Sequence, residues 1–112
     1  MADNRQRLAS LLGLCRRAGK ISCGHDAAIN SIKSGAAHLC LLSEDSSERL
    51  GKEFEREISF SRADVPLRRL GMTMEDIRRA TGLKSAVITI DDQGFANSVL
   101  GILENMTEEV TQ

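Results

Sequence analysis

The chain has 112 residues, of which 41% are hydrophobic and 28% charged, and its net charge is −1. These values predict one globular domain, with a core over about residues 5–105. Three Phe without Trp or Tyr argue against a surface that stacks RNA bases on several aromatic rings. No apolar run approaches the roughly twenty residues that span a bilayer, and no signal sequence is apparent. We therefore expect a cytoplasmic protein with no membrane partner.

Charge is distributed unevenly along the chain. Residues 1–35 carry six Lys or Arg against two Asp or Glu, and residues 65–84 carry five against two. Residues 36–64 and 85–112 are net acidic. The two basic segments would form one patch only in a fold that brings them together.

Apolar periodicity predicts that helices and strands alternate. A first helix runs from about Asn4 to Gly19, a short strand covers residues 20–23, and a second helix follows Gly24. Residues 38–42 form a continuous apolar run, which is typical of a strand buried on both faces.

The second half of the chain continues this alternation. The predicted elements are a third helix begun by residues 43–46, a strand at 65–70, a helix from Thr73 to Gly82, a strand at 85–90, and a helix starting near Asp91 and Asp92. Thr73 and Asp76 have the spacing of a capping box, and the polar tail 107–112 is expected to fray. This order predicts a three-layer α/β/α sandwich.

No arrangement of residues indicates an enzyme. Cys23 and His25 are two positions apart on a turn, whereas a catalytic cysteine normally meets its histidine across the fold. The segment from Gly19 to Gly24 lacks the Lys-Ser/Thr ending of a phosphate-binding loop. We therefore predict no catalytic residues.

The cysteines and histidines lack the paired spacing of a zinc site. Cys15 and Cys40 fall on apolar positions and are predicted to be reduced core thiols. The carboxylates of Asp91 and Asp92 are explained by a helix start, where the dipole favours negative charge. We expect no metal and no cofactor.

The helix that follows Gly24 is the best candidate for a binding surface. Free N–H groups and the positive end of the dipole at a helix start can hold a phosphate or a base edge. Lys20 and Lys33 are expected on the same surface, where they would meet RNA phosphates. For this segment alone, an ordinary capped helix in which Asp26 favours the dipole remains the alternative.

A series of motifs in chain order resembles the kink-turn-binding ribosomal L7Ae/L30e family, most closely its small bacterial YlxQ-type members. The motifs are Leu12-Gly13-Leu14, Arg16-Arg17-Ala18-Gly19-Lys20, Gly24, Ile32-Lys33-Ser34-Gly35-Ala36-Ala37, Leu41-Leu42-Ser43-Glu44-Asp45, Val65-Pro66 and Asp92-Gln93-Gly94-Phe95-Ala96. The resemblance covers about residues 5–103 and implies an α/β/α sandwich with a four-stranded mixed sheet. It also implies a non-enzymatic RNA-binding protein whose partners are structured RNA and the ribosome or another protein, in translation or transcription. We expect a monomer.

The resemblance implies two RNA-contacting surfaces. In the family, the start of the second helix contacts tandem G·A pairs of a kinked stem, and the loop before the fourth strand covers a flipped-out nucleotide. By position, the helix-two surface comprises Lys20, Ser22, Cys23, Gly24, Asp26, Ala27, Asn30 and Lys33, with Glu44 and Asp45 at its edge. The loop surface comprises Thr81, Gly82, Leu83, Lys84 and Ser85.

Several of the family's contact residues are replaced. Strong kink-turn binders carry Lys at the positions of Ser22, Cys23 and Asn30, and Asn-Glu at Asp26-Ala27. Each missing phosphate contact weakens binding and reduces its salt dependence, so we expect weaker binding here. The alternative function is a protein-interaction module on the same fold that has lost specific RNA recognition.

Overall fold

The structure, a computed structural model, describes residues 3–111, with side chains as far as Met106. Within these residues, five helices alternate with four strands. The elements are α1 Asn4–Arg17, β1 Ile21–Cys23, α2 His25–Ser34, β2 Leu39–Leu42, α3 Glu48–Phe60, β3 Leu67–Arg69, α4 Met74–Thr81, β4 Val87–Ile90 and α5 Gln93–Thr111. The sequence predicts that residues 107–112 fray. The side chains of these residues lie outside the described part.

The four strands form one mixed sheet in the order β1-β4-β2-β3. β4 pairs antiparallel with both β1 and β2, and β2 pairs parallel with β3. A parallel pair needs a crossover connection, and α3 supplies it. The predicted α/β/α sandwich with a four-stranded mixed sheet is confirmed.

Helices cover both faces of the sheet. Successive side chains of a strand point to opposite faces, so Leu39 and Leu41 pack with the core beneath α1, α4 and α5, while Cys40 and Leu42 pack with α2 and α3. Both central strands are buried along their whole length, as predicted for β2. Cys15 and Cys40 are fully buried core thiols, and burial raises their pKa values to about 11 and about 12.

One predicted helix start is wrong and another is confirmed. Helix α3 is capped by Ser47, whose side chain accepts a hydrogen bond from Leu50 N (3.1 Å), rather than by residues 43–46, which form a turn. Thr73 and Asp76 form the predicted capping box of α4, with both reciprocal hydrogen bonds in place.

Candidate nucleic-acid interface

Three segments meet at one end of the sheet, where β1 and β2 end and β4 begins. The N–H of Gly24 donates to Val87 O (3.0 Å), and the N–H of Ser43 donates to Ala86 O (2.9 Å). Because β4 is antiparallel to both neighbours, the loop that enters it lies beside their last residues. We call this the upper end; it joins the start of α2, residues 43–45 and the loop at 82–86.

Gly24 gives the start of α2 an open backbone. Its φ of 101° and ψ of 162° lie in a region that only glycine adopts readily. It provides no side-chain cap, so the first N–H groups of α2 receive no capping hydrogen bond from it. This is the anion-accepting geometry expected from the sequence.

Four predicted contact residues are exposed along α2: Asp26, Ala27, Asn30 and Lys33. The side chain of Asp26 is fully exposed, and Lys33 forms only a loose ion pair with Glu57 (3.8 Å). An exposed pair of this kind contributes little to stability, so these side chains are available to a ligand.

Two other predicted contact residues have internal partners. The Ser22 hydroxyl donates to Asp91 Oδ2 (2.5 Å), and Cys23 packs against the core on the α1 side of the sheet. Burial raises the pKa of the Cys23 thiol, the opposite of what a thiolate nucleophile needs. Both side chains hold the strand that leads into Gly24.

Asp91 does not have the helix-start role that its position in the sequence predicts. Its half-buried carboxylate accepts hydrogen bonds from the hydroxyls of Ser22 (2.5 Å), Ser31 (2.6 Å) and Thr89 (2.8 Å). These bonds tie β1, α2 and β4 together. The start of α5 uses only the second carboxylate, because Asp92 Oδ2 accepts from Phe95 N (2.9 Å). The sequence feature that could have predicted this cluster is the pair of polar residues at positions 89 and 91, because alternate residues of a strand point to the same face.

The loop surface is built on two buried hydroxyls. Thr81 donates to Ile77 O (2.8 Å) and accepts from Leu83 N (3.1 Å). Ser85 donates to Val87 O (2.5 Å) and accepts from Val87 N (3.2 Å). These two predicted contact residues therefore shape the loop.

The remaining loop residues face solvent. Gly82 ends α4 with a φ of 84°, and Leu83 and Lys84 are exposed. The Leu83 side chain is a large apolar group that is more than one-third exposed. The loop thus presents backbone, one apolar side chain and one cation.

The two acidic edge residues differ in their contacts. Asp45 Oδ1 accepts from the N–H of Met74 (3.0 Å), the first residue of α4, whereas the Glu44 side chain is exposed. Use of Asp45 by α4 explains why α3 begins later than predicted. Lys84 lies close enough to Asp45 and Glu75 for an electrostatic interaction with both.

Lys20 lies at the opposite end of β1. Its carbonyl accepts from Asp91 N (2.8 Å), and a rise of about 3.3 Å per residue puts its backbone roughly 13 Å from Gly24. The structure therefore puts the loop that carries Lys84 at the same end of the sheet as the start of α2, and Lys20 about one strand length away. The predicted cations are therefore not gathered at one point of the upper end.

His25, the first residue of α2, connects this surface to α3. Its Nε2 lies 2.5 Å from Glu53 Oε2, and its ring packs edge-on against Phe54. The hydrogen bond with Glu53 is the main cause of a raised His25 pKa, and Asp26 contributes to it. No local sequence pattern indicates this contact, because it joins residues 28 positions apart.

The described residues contain no cluster of three or more His, Cys, Asp or Glu side chains arranged to hold a metal. None of the described helices is long and apolar enough to cross a membrane.

This α/β/α sandwich is the fold of a known class of domain. The sequence profile of the ribosomal protein L7Ae/L30e/S12e/Gadd45 family matches residues 6–100. The chain belongs to this family, as the motif resemblance predicted.

Within the family, the chain is similar to RNA-binding protein YlxQ from two bacteria. It is 33% identical to YlxQ of Bacillus subtilis (strain 168) over 95 residues, which cover 84% of this chain and 92% of that protein. It is 31% identical to YlxQ of Enterococcus faecium over 101 residues, which cover 90% and 95%.

Two solved structures share the fold. A protein of unknown function from Bacillus halodurans C gives a TM-score of 0.78 at 24% identity, covering 88% of this chain and 97% of that one. The Giardia lamblia 15.5kD RNA binding protein gives 0.68 at 14% identity, covering 94% and 89%. At these identities the likeness concerns the fold alone.

Proposed function

We propose that the protein is a non-enzymatic RNA-binding protein that holds a bent, kink-turn-like RNA stem in a ribosomal, translational or transcriptional context. The start of α2 would contact the stem, and the loop at 82–86 would contact a nucleotide displaced from it. Membership of the family and the similarity to proteins named YlxQ support RNA as the ligand.

The observation that carries the proposal is the junction of the two predicted surfaces at the upper end. The Gly24 N–H to Val87 O hydrogen bond (3.0 Å) joins the start of α2 to the strand that the loop enters. One RNA could therefore contact the open helix start and Lys84 together. Backbone donors and helix starts are common partners of phosphate groups.

The replaced family residues predict modest affinity. Ser22 and Cys23 occupy positions where strong binders carry Lys, and their side chains point to internal partners. Fewer phosphate contacts give a shallower dependence of affinity on salt. Recognition would depend more on the shape of the stem than on a dense array of cations.

Fluorescence polarisation with two matched RNAs tests the proposal. One is a kink-turn stem-loop with tandem G·A pairs, and the other replaces these by Watson–Crick pairs. Titrations at about 50 and 200 mM salt separate specific from electrostatic binding. We expect tighter binding to the kink-turn RNA at both concentrations, and equal weak binding to both RNAs contradicts specific recognition.

Charge variants locate the interface. Lys84→Glu and Lys33→Glu should weaken binding of the kink-turn RNA, while Arg7→Glu on α1, across the sheet, should not. If neither lysine variant changes binding while a protein partner co-purifies with both, the protein-interaction alternative is favoured.

A further inference from the structure

The solvent-facing side of α3 carries an unusual row of side chains. Arg49, Glu53, Arg56 and Phe60 recur at intervals of four, three and four residues, which places them on one face of the helix. The buried residue Phe54 lies on the other side. Phe60 is one of only three Phe in the chain, yet it is 87% exposed. We call these four residues the α3 row.

The charged side chains of the α3 row differ in whether they have a hydrogen-bond or ion-pair partner. Glu53 is bound by His25 (2.5 Å), and the neighbouring Glu57 pairs with Lys33 (3.8 Å). Arg49 and Arg56 are exposed and form no hydrogen bond or ion pair with any described side chain. The carboxylates of Glu53 and Glu57 are thus directed towards His25 and Lys33 of α2. The charged side chains of the α3 row that remain without a partner among the described residues are those of Arg49 and Arg56.

The contacts of Glu53 and Glu57 also make the α3 row continuous with α2. At about 1.5 Å per residue, Arg49 and Arg56 are roughly 10 Å apart along the helix axis, and Phe60 lies about 6 Å beyond Arg56. An RNA strand lying along the α3 row would therefore meet two cations and a ring within a few nucleotides.

We propose that the α3 row binds single-stranded nucleotides that flank the RNA stem held by α2. Phe60 stacks on one base, and Arg49 and Arg56 contact the phosphates. This inference rests on the proposed function, since α2 must first hold the stem. A lone ring among charges offers too little apolar area for a stable protein interface, but it matches the face of one base.

The test uses the kink-turn stem-loop with and without a single-stranded tail of about six uridines at either terminus. Phe60→Leu removes the aromatic face and keeps an apolar side chain. Its matched control is Leu14→Ala, a half-exposed apolar side chain on α1. Arg49→Gln/Arg56→Gln removes the two cations, with Arg5→Gln/Arg7→Gln on α1 as control.

We expect the wild type to bind one tailed RNA more tightly than the untailed one. Phe60→Leu should weaken binding of the tailed RNA by about 5- to 140-fold, the range of one lost base stack, without affecting the untailed RNA. The double arginine variant should lower the slope of log affinity against log salt by about 1.4 for the tailed RNA.

The contradicting outcomes are distinct. If the kink-turn RNA binds but the tail adds no affinity, or the Phe60 and arginine variants leave the tail's contribution unchanged, the α3 row is not a binding surface and the proposed function stands. If no RNA binds the wild type, the proposed function fails and this inference fails with it.

Discussion

The start of α2 and the loop at 82–86 meet at the same end of the sheet but are built in different ways. At α2, the helix begins at a glycine that supplies no side-chain cap, and Asp26, Ala27 and Asn30 are exposed. The Asp91 carboxylate, with its three hydroxyl donors, holds the helix further along, at Ser31. In the loop, the hydroxyls of Thr81 and Ser85 bond their own backbone, and few side chains project.

This difference separates residues that shape the upper end from residues whose side chains are available to a ligand. Ser22, Cys23 and Thr81 have internal contacts. Substituting them should affect the free energy of unfolding more than it affects RNA binding. Asn30 and Lys84 are exposed, so their substitution should change recognition alone.

The largest effect is expected from Asp91→Ala. The change leaves the hydroxyls of Ser22, Ser31 and Thr89 without their acceptor, and bonds to a charged acceptor contribute about 1.5–3 kcal/mol each without being additive. We expect the free energy of unfolding in urea to fall by roughly 2–4 kcal/mol. The control Asp64→Ala, at an exposed carboxylate, should change it by less than about 0.5 kcal/mol. Equal effects of the two variants would mean that the Asp91 cluster does not hold the α2 side together.

The next largest effect on the free energy of unfolding is expected from substituting the two glycines of the upper end, Gly24 and Gly82. Gly24→Ala places a side chain at φ 101° and ψ 162°, a region costing about 1–3 kcal/mol. Gly82→Ala places a side chain in the left-handed helical region, which costs about 1–2 kcal/mol. Urea unfolding should therefore rank Gly24→Ala as the more harmful.

A third glycine serves as the control for this pair. Gly101→Ala, within α5 and with open space around it, should stabilise the protein by about 0.5–1 kcal/mol. If Gly24→Ala is as harmless as Gly101→Ala, the start of α2 does not have the backbone described above.

A smaller effect concerns the cation of the loop. Lys84→Gln should lower the slope of log affinity against log salt for the kink-turn RNA by about 0.9, the value for one lost phosphate contact. The free energy of unfolding should not change, because the side chain is exposed. Arg7→Gln is the matched control, and a salt slope that changes equally in both variants would exclude a local contact by the loop.

The smallest effect is the pH dependence of His25. Its pKa is raised above the ordinary 6.5, mainly by the hydrogen bond with Glu53. The resulting stabilisation is present in full below pH 6.5 and is lost as the pH rises through the raised pKa. Because the His25–Glu53 pair is exposed, this stabilisation should stay below about 1 kcal/mol.

Nuclear magnetic resonance titration of the histidine rings measures this coupling. Glu53→Gln should move the His25 midpoint down towards 6.5 and leave the His38 resonances unaffected. An unchanged His25 midpoint would show that α2 and α3 are not joined by this contact.

Local patterns were sufficient to predict the element order and much of the capping. The continuous apolar run of β2 and the spacing of Thr73 and Asp76 each depend on neighbouring residues, and both predictions are confirmed. The start of α3 was misplaced because Asp45, three positions before the first residue of the observed helix, hydrogen-bonds to α4 instead.

The contacts between distant segments could not be predicted in the same way. Ser22 and Asp91 are 69 positions apart. The alternation of polar residues at 89 and 91 indicates a polar face of the strand, but nothing in either local sequence identifies Ser22 as the partner of Asp91. The exposure of Phe60 could not be predicted from the sequence either, because an aromatic residue near the end of an amphipathic helix is normally expected to be buried.

Backbone amide shifts of the labelled protein, followed during titration with the kink-turn stem-loop, test the central claim most directly. The account predicts that the amides of residues 24–30 and 82–86 shift together and saturate at the same RNA concentration. Shifts confined to one of these segments, or spread evenly over the exposed lysines and arginines, would contradict a single RNA interface at the upper end.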